Sequence, residues 1–229
     1  MWNFQIEDLS ESLSLNHDLL VEDQLKAESD GMVDLESGFD DHSHGPFSVY
    51  RAGWWRDTIQ ARKTVRLFKL HGSLDYWLYD FPGEGRQYAI PDGDPLHSRN
   101  QNAKLVSPLE WKTAFLSGTV VKELHYDVGY WADMFAAFRS HLANHTHLIC
   151  CGYGFGDAGI NRRLFQWMND RQDGRNRLII PSPESPADYF SDKPYQLSEF
   201  WRQGRLTLVP KYLEKCTLGD LTPYFDPLV

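Results

Sequence analysis

The chain alternates between short apolar segments, which are typical of buried strands, and longer segments whose apolar residues recur at helical spacing. Helical spacing starts close to Asp18 and recurs at residues 130–144 and 160–167. The predicted strands are residues 13–15, 64–70, 147–151, 178–180 and 206–209. Strands and helices in this order predict an α/β fold, a Rossmann-like, doubly wound sheet whose strands are mostly parallel.

Two segments show neither the apolar runs of buried strands nor the helical spacing of apolar residues. Residues 30–56 include four glycines and are expected to form a lid or a loop insert. The Pro-, Gly- and Asp-rich stretch 81–95 predicts a surface loop, which we extend to about residue 105. Because 229 residues suffice for one large α/β domain, we expect a single domain over residues 1–229 that carries both segments.

Charge and composition restrict the partners and the compartment. With 23 Lys and Arg against 32 Asp and Glu, the net charge of −9 gives no electrostatic footprint for duplex nucleic acid. No apolar run is long enough to cross a bilayer, and the amino terminus is unlike a signal peptide. The three cysteines form neither a disulfide framework nor a zinc ribbon. These features predict a cytoplasmic protein without a membrane partner.

Polar residues follow three of the predicted strands. They form an Asn-His-Asp segment (residues 16–18), a His-Gly-Ser segment (residues 71–73) and a glycine segment (residues 152–157). In an open α/β sheet, ligands bind beyond the carboxyl ends of the strands, so these segments are expected to converge on one site. The glycine segment precedes a helix, and its backbone N–H groups would suit phosphate or ribose oxygens.

Each segment also has a purely structural interpretation. The glycines are equally explained by tight packing between strand and helix, and Asp157 by a helix N-cap. Asn16 and Asp18 are favoured residue types where a strand passes into a helix. The imidazole of His71 could serve as a general base near neutral pH, or it could be structural.

Taken together, the three segments resemble the sirtuin-like NAD-binding family, in the divergent bacterial branch that lacks the zinc module. The resemblance is carried by Ser14-Leu15-Asn16-His17-Asp18, by Leu70-His71-Gly72-Ser73, and by Gly152-Tyr153-Gly154-Phe155-Gly156-Asp157 with Asn161. It implies a domain that binds NAD+ and, since bacterial members of this branch are often antiviral NAD-consuming proteins, a role in anti-phage defence.

The resemblance also implies a role for each residue. His71 would be the catalytic base on a ribose hydroxyl, Asn16 would position the attacking water or the ribose, and Asp18 would bind the carboxamide. Gly152, Tyr153 and Gly154 would contact the adenosine half. The implied cofactor-binding set is Gly72, Ser73, Gly152, Tyr153, Gly154, Phe155, Asp157 and Asn161.

Two departures from the family pattern refine this expectation. The four-cysteine zinc module of deacetylating sirtuins has no counterpart, so metal-free NAD+ hydrolysis to ADP-ribose and nicotinamide is preferred over deacetylation. The family's opening Gly-Ala-Gly phosphate loop is also missing, since the first glycine is Gly31. We therefore expect a sheet incomplete at its amino-terminal end, which a homo-oligomer or a partner chain could complete. The alternative function is a non-catalytic sirtuin-like module that binds NAD or another nucleotide, or a protein partner.

Two further motifs have simpler explanations. The run Asp40-Asp41-His42-Ser43-His44 contains metal-ligand residue types, but adjacent residues on a loop seldom converge on one ion, so a solvated loop is favoured. The pairs Trp54-Trp55 and Tyr76-Trp77 could stack on single-stranded nucleic acid. Because basic residues are not interleaved with them, packing in the core or in a lid is favoured.

Overall fold

A computed structural model describes residues 11–16, 18–29, 34–40, 45–58, 64–96, 98–99, 106–110, 112–116, 125–170, 174–212 and 215–225. The chain divides into a first unit, Leu9–Phe138, and a second unit that includes Arg139–Val229. The strands are β1 (Glu11–Ser14), β2 (Asp34–Glu36), β3 (Phe39–Asp40), β4 (Phe47–Tyr50), β5 (Thr64–Lys69), β6 (Trp77–Phe81), β7 (Gly85–Pro91), β8 (His147–Ile149), β9 (Arg177–Pro181) and β10 (Leu206–Val209). The α-helices are α1 (Leu20–Ser29), α2 (Gly129–Asn144), α3 (Ala158–Asp170), α4 (Pro186–Tyr189), α5 (Tyr195–Arg202) and α6 (Leu218–Leu221), and Trp54–Arg56 and Thr222–Tyr224 form 3₁₀ turns.

A three-stranded parallel sheet in the order β1-β5-β2 organises the first unit. Its central strand β5 is buried along its whole length, including the charged residues Arg66 and Lys69. A strand covered on both faces is typically a nearly continuous apolar run, but β5 contains Thr64, Arg66 and Lys69 besides its three apolar residues. Both cations therefore require partners inside the protein.

The first unit also contains a four-stranded antiparallel sheet in the order β3-β4-β7-β6. Its buried face consists of Phe47, Val49, Tyr79, Phe81 and Ala89, with Val106 from the following segment. These strands correct two predictions. Residues 30–56 contain β3 and β4 of this sheet and β2 of the parallel sheet, and the stretch 81–95 contains β7.

The error over residues 81–95 has a local cause. Gly83 and Gly85, at φ values of 89° and 80°, form the turn of a hairpin between β6 and β7. Turn residues and the polar side chains on the exposed face dominate the composition of this stretch, and they conceal the period-two pattern of its strands.

The second unit follows the predicted order of helices and strands. Its parallel sheet has the order β10-β9-β8, α3 connects β8 to β9, and α4 and α5 connect β9 to β10. Connections of this kind are typical of parallel sheets. Each of the two parallel sheets confirms the α/β, Rossmann-like fold class predicted from the sequence.

Across the described residues, no helix combines the length and the apolar character needed to span a membrane.

Candidate functional site

Two of the three polar segments meet at one edge of the first unit's parallel sheet. Strands β1 and β5 are parallel neighbours, with Ser14 opposite Lys69, and the Leu70 N–H donates to the Ser14 carbonyl at 3.0 Å. Because the two strands end side by side, the Asn-His-Asp segment and the His-Gly-Ser segment both start from the same edge.

The Asn-His-Asp segment turns the chain from β1 into α1. The Asn16 N–H donates to Ser14 Oγ at 3.1 Å, and Asp18 Oδ1 accepts from the Leu20 N–H at 3.2 Å, at the start of α1. The structure therefore shows the capping interpretation of Asp18. Asn16 is exposed, and within the described part of the chain its side-chain amide has no hydrogen-bond partner. His17 lies outside the described residues.

The His-Gly-Ser segment is fixed by a second backbone segment that packs against it. His71 is 4% exposed; its carbonyl accepts from the Leu116 N–H at 2.7 Å, and its ring stacks on Tyr126 with centroids 6.4 Å apart. Gly72 has φ = 81°, and a Cβ at this position would lie 2.1 Å from the Ala114 carbonyl oxygen. Only glycine fits here, so Gly72 is required by the local packing.

Lys69, the last residue of β5, joins the two segments. Its side chain is 1% exposed, and Nζ donates to Glu22 Oε1 at 2.7 Å, to Ser73 Oγ at 3.0 Å and to the Asp18 carbonyl. Neither Lys69 nor Glu22 belongs to a motif that is recognisable in the sequence. A lysine inside a strand rich in apolar residues was the available signal, because a buried ammonium needs a charged partner.

Buried tyrosines lie beneath Lys69. The Tyr130 hydroxyl donates to the Lys69 carbonyl at 2.8 Å. Burial is the largest cause that raises the pKa of both Tyr130 and Tyr76, and the nearby charges of Asp75 and Glu22 raise both further. Both phenols therefore remain protonated hydrogen-bond donors at any physiological pH.

The glycine segment belongs to the second unit and connects β8 to α3. Asn161 Nδ2 donates to the Phe155 carbonyl at 2.7 Å, and the Tyr153 hydroxyl donates to Asn161 Oδ1 at 2.8 Å. Asp157 Oδ1 accepts from the Ile160 N–H at 3.0 Å, which is an N-cap bond. Phe155 is buried at a φ of 57°, an unusual conformation for a residue with a Cβ. Internal hydrogen bonds thus hold this turn in one conformation.

The glycines of this segment face open space. A Cβ built on Gly152, Gly154 or Gly156 meets no heavy atom within 4 Å, and of these three only Gly152 has a positive φ, 64°. The packing interpretation of these glycines therefore does not hold. Their open backbone leaves room for a ligand, in accordance with the alternative interpretation.

Two cysteines immediately precede the glycine segment. Burial is the main cause that raises the pKa of the Cys150 and Cys151 thiols to about 12. Both remain neutral thiols near pH 7 and are poor nucleophiles.

The aromatic pairs Trp54-Trp55 and Tyr76-Trp77 pack against other side chains of the protein. Trp54 is 2% exposed and stacks on Phe68 at 5.0 Å, Trp55 Nε1 donates to Asp133 at 2.9 Å, and Tyr76 is 2% exposed. Trp77 packs against the core of the antiparallel sheet. The packing interpretation of these aromatic pairs is confirmed.

The polar run at residues 40–44 is only partly described. Asp40 forms an ion pair with Arg51 at 3.2 Å, and residues 41–44 lie outside the described residues. Within the described ranges, no group of three or more His, Cys, Asp or Glu side chains is arranged to hold a metal ion.

Parallel β-sheets with polar turns at their strand ends define the class of this protein, a Rossmann-like α/β protein. The family model for the SIR2-like domain matches residues 10–209, so the chain belongs to the SIR2-like family, and the resemblance found in its motifs is confirmed. SIR2-like domains use NAD. No curated protein matches the sequence.

Proposed function

We propose that this chain hydrolyses NAD+ to ADP-ribose and nicotinamide. The observation that carries the proposal is the meeting of the Asn-His-Asp and His-Gly-Ser segments at the ends of two adjacent parallel strands, β1 and β5. Membership in a family that uses NAD supplies the substrate. The side-chain amide of Asn16, which has no hydrogen-bond partner among the described residues, is a suitable group to position water or a ribose hydroxyl.

The chemistry requires a polar pocket that excludes bulk water. When the bond between ribose C1′ and the nicotinamide nitrogen breaks, nicotinamide leaves with the bonding electrons and positive charge develops on the ribose. His71 accepts a proton from a ribose hydroxyl. Water then adds at C1′ and passes a proton to that ribose oxygen, and His71 releases its proton to solvent, which completes ADP-ribose. The 4% exposure of His71 suits this step, because a dry environment strengthens each electrostatic interaction. Asp18, which also caps α1, binds the carboxamide.

For the glycine segment we propose contact with the adenosine half of NAD+. The open positions at Gly152 and Gly154 would let backbone N–H groups approach ribose or phosphate oxygens closely. Tyr153, which lies between these two glycines, contacts the same half of the dinucleotide. Phe155, Asp157 and Asn161 act by holding the conformation of the turn, since their bonds lie within it.

The biological role that we propose is NAD+ consumption in anti-phage defence. It follows from the sequence resemblance to the divergent bacterial branch. Bacteria that express the chain should lose cellular NAD+ after phage infection, whereas bacteria that express the His71→Ala variant should retain it. Equal NAD+ levels in the two cultures throughout infection would contradict this role.

The test of the proposed reaction is nicotinamide release from NAD+ by the purified chain, with His71→Ala and Asn16→Ala measured alongside. General-base catalysis contributes about 10²–10⁴-fold, so the His71→Ala variant should lose turnover by at least about 100-fold. His145→Ala and Asn144→Ala are matched controls on exposed residues and should retain full turnover.

The outcomes separate the proposed reaction from its alternative. Turnover by the parent chain that both site variants abolish supports the hydrolase. NAD+ binding without any nicotinamide release would instead support the non-catalytic NAD-binding module.

A further inference from the structure

The Lys69 side chain bonds to both polar segments of the first unit. Its ammonium group reaches the Asp18 carbonyl, which lies 51 residues away in the chain, and Ser73 Oγ, four residues away. A third bond goes to Glu22 Oε1 at 2.7 Å, on the first turn of α1. All three N–H donors of the ammonium group therefore have acceptors.

Burial of the Lys69 ammonium group costs free energy, which indicates that this lysine has a specific role. Transfer of an isolated ammonium ion into a protein interior is strongly unfavourable unless a carboxylate compensates it. Glu22 provides that carboxylate, with a side chain that is 12% exposed. In the described part of the chain, its second oxygen, Oε2, is buried without a hydrogen-bond partner. Among the described residues, this carboxylate is thus held through Oε1, by Lys69.

The Lys69–Glu22 pair has no net charge, and this matters because the proposed reaction develops positive charge on the ribose. A buried ammonium without its carboxylate would oppose the positive charge that develops on the ribose. With Glu22 in place, Lys69 can fix the geometry of both segments without adding net charge.

Arg66 provides an internal comparison on the same strand. It is also buried, at 4% exposure, and pairs with Glu36 Oε2 at 2.9 Å. Its other bonds go to the carbonyls of Trp55 and Asp57, neither of which belongs to a polar segment. Strand β5 therefore carries one buried cation that joins the candidate site residues and one that does not.

We propose that the Lys69–Glu22 pair is a positioning device that holds the Asn-His-Asp segment in register with the His-Gly-Ser segment. The proposal deepens the proposed function and rests on it. Neither side chain needs to touch the reacting atoms. A misplacement of about 1 Å at a catalytic group can cost about 100-fold in rate, so loss of the pair should lower kcat.

The experiment compares two neutralised pairs in the full chain. Lys69→Met/Glu22→Gln removes both charges and so avoids leaving one of them buried alone, and Arg66→Met/Glu36→Gln is the matched control. For the Lys69 pair we expect kcat for nicotinamide release to fall at least tenfold, with KM changed less than threefold. The Arg66 pair should keep kcat within threefold of the parent at a temperature where the protein is folded. Equal kcat values for the two double variants would overturn the proposal.

Hydrogen exchange gives a readout that does not depend on activity. In the Lys69→Met/Glu22→Gln variant, backbone amides at residues 15–20 and 70–74 should exchange faster than in the parent chain. In the Arg66→Met/Glu36→Gln variant, exchange should be unchanged in both segments. If the parent chain releases no nicotinamide, the proposed function fails, and hydrogen exchange alone tests the positioning role of the Lys69–Glu22 pair. Unchanged protection of both segments in the Lys69→Met/Glu22→Gln variant would then reject that role.

A second pair of variants covers the case in which a neutralised chain does not fold. Lys69→Arg and Arg66→Lys retain the charge and change only the shape of each cation. We expect Lys69→Arg to lower kcat and to accelerate exchange in the two segments, and Arg66→Lys to do neither. The reverse pattern would overturn the proposal.

Discussion

The His-Gly-Ser segment of the first unit and the glycine segment of the second unit have the same setting. Each contains glycine and follows the end of a parallel strand. The space around their glycines differs, however. A Cβ on Gly72 would lie 2.1 Å from the Ala114 carbonyl oxygen, whereas Cβ atoms on Gly152, Gly154 and Gly156 would meet nothing within 4 Å.

This difference separates two reasons for a glycine in a motif. Gly72 is needed because the protein's own backbone occupies the space beside it. The glycines of the second segment leave space that no described atom fills, and side-chain bonds from Asn161 and Tyr153 hold their turn instead. Substitution of the glycine in the His-Gly-Ser segment should therefore impair folding, whereas substitution of glycines in the glycine segment should impair ligand binding.

The largest effect is expected from Gly72→Ala. The substitution combines a positive φ of 81° with a backbone clash, and it should lower the free energy of unfolding by about 3 kcal/mol or more. Denaturant unfolding measures it. Gly93→Ala is the control in the same unit, because Gly93 has φ = 96° but open space around it. Equal losses for the two variants would show that the clash with Ala114 is relieved at little cost.

The second prediction concerns the bonds that hold the glycine segment. Asn161→Ala removes the side-chain donor to the Phe155 carbonyl and one acceptor of the Tyr153 hydroxyl, which keeps the Asp157 carbonyl at 3.1 Å. The substitution should lower the free energy of unfolding by about 1–3 kcal/mol. Asn169, on the exposed side of the same helix, also donates to a carbonyl, at 2.8 Å. Asn169→Ala should cost about 0.5 kcal/mol or less. Similar values for both variants would mean that the turn is held by other contacts.

Strands β5 and β9 could be predicted because they are buried and rich in apolar residues. Strand β2, which pairs with β5 in the same parallel sheet, was missed because it is only three residues long and includes two acidic residues. The rule that ligands bind at strand ends then placed the Asn-His-Asp segment beside the His-Gly-Ser segment. Strand β7 was missed because it is half exposed and starts at a hairpin glycine. Its pattern becomes clear only when its partner strands are known.

The partners of Lys69 could not be predicted for a related reason. Glu22 lies 47 residues earlier in the chain, and no local pattern connects the two positions. The capping roles of Asp18 and Asp157 are local, so the sequence did offer them as alternatives. It could not decide between a cap and a ligand contact, because both use the same carboxylate.

A third prediction tests the backbone conformation of the glycine segment. Gly152→Ala places a Cβ at φ = 64° without a clash, so the free energy of unfolding should fall by about 1 kcal/mol. Gly204 has φ = 69° and similarly open surroundings, and Gly204→Ala should have the same cost. Only Gly152→Ala is expected to weaken NAD+ binding. Calorimetric titration in a His71→Ala background, in which NAD+ is not hydrolysed, distinguishes the two variants. Equal NAD+ affinities would remove Gly152 from the proposed site.

The smallest effect on stability, and the sharpest test of the comparison, is expected at Gly154. Its φ is not positive and a Cβ there meets nothing, so Gly154→Ala should leave the free energy of unfolding within about 0.5 kcal/mol of the parent value.

If NAD+ uses the open space, the added methyl group should weaken binding about tenfold, which corresponds to about 1.4 kcal/mol. The titration is made in a His71→Ala background so that no NAD+ is hydrolysed during the measurement. Gly219→Ala, at a helical position of the same unit, is the control and should bind NAD+ like its own background. Because folding does not require a glycine at position 154, any loss of affinity there would come from the ligand. Unchanged affinity would mean that the adenosine half binds elsewhere.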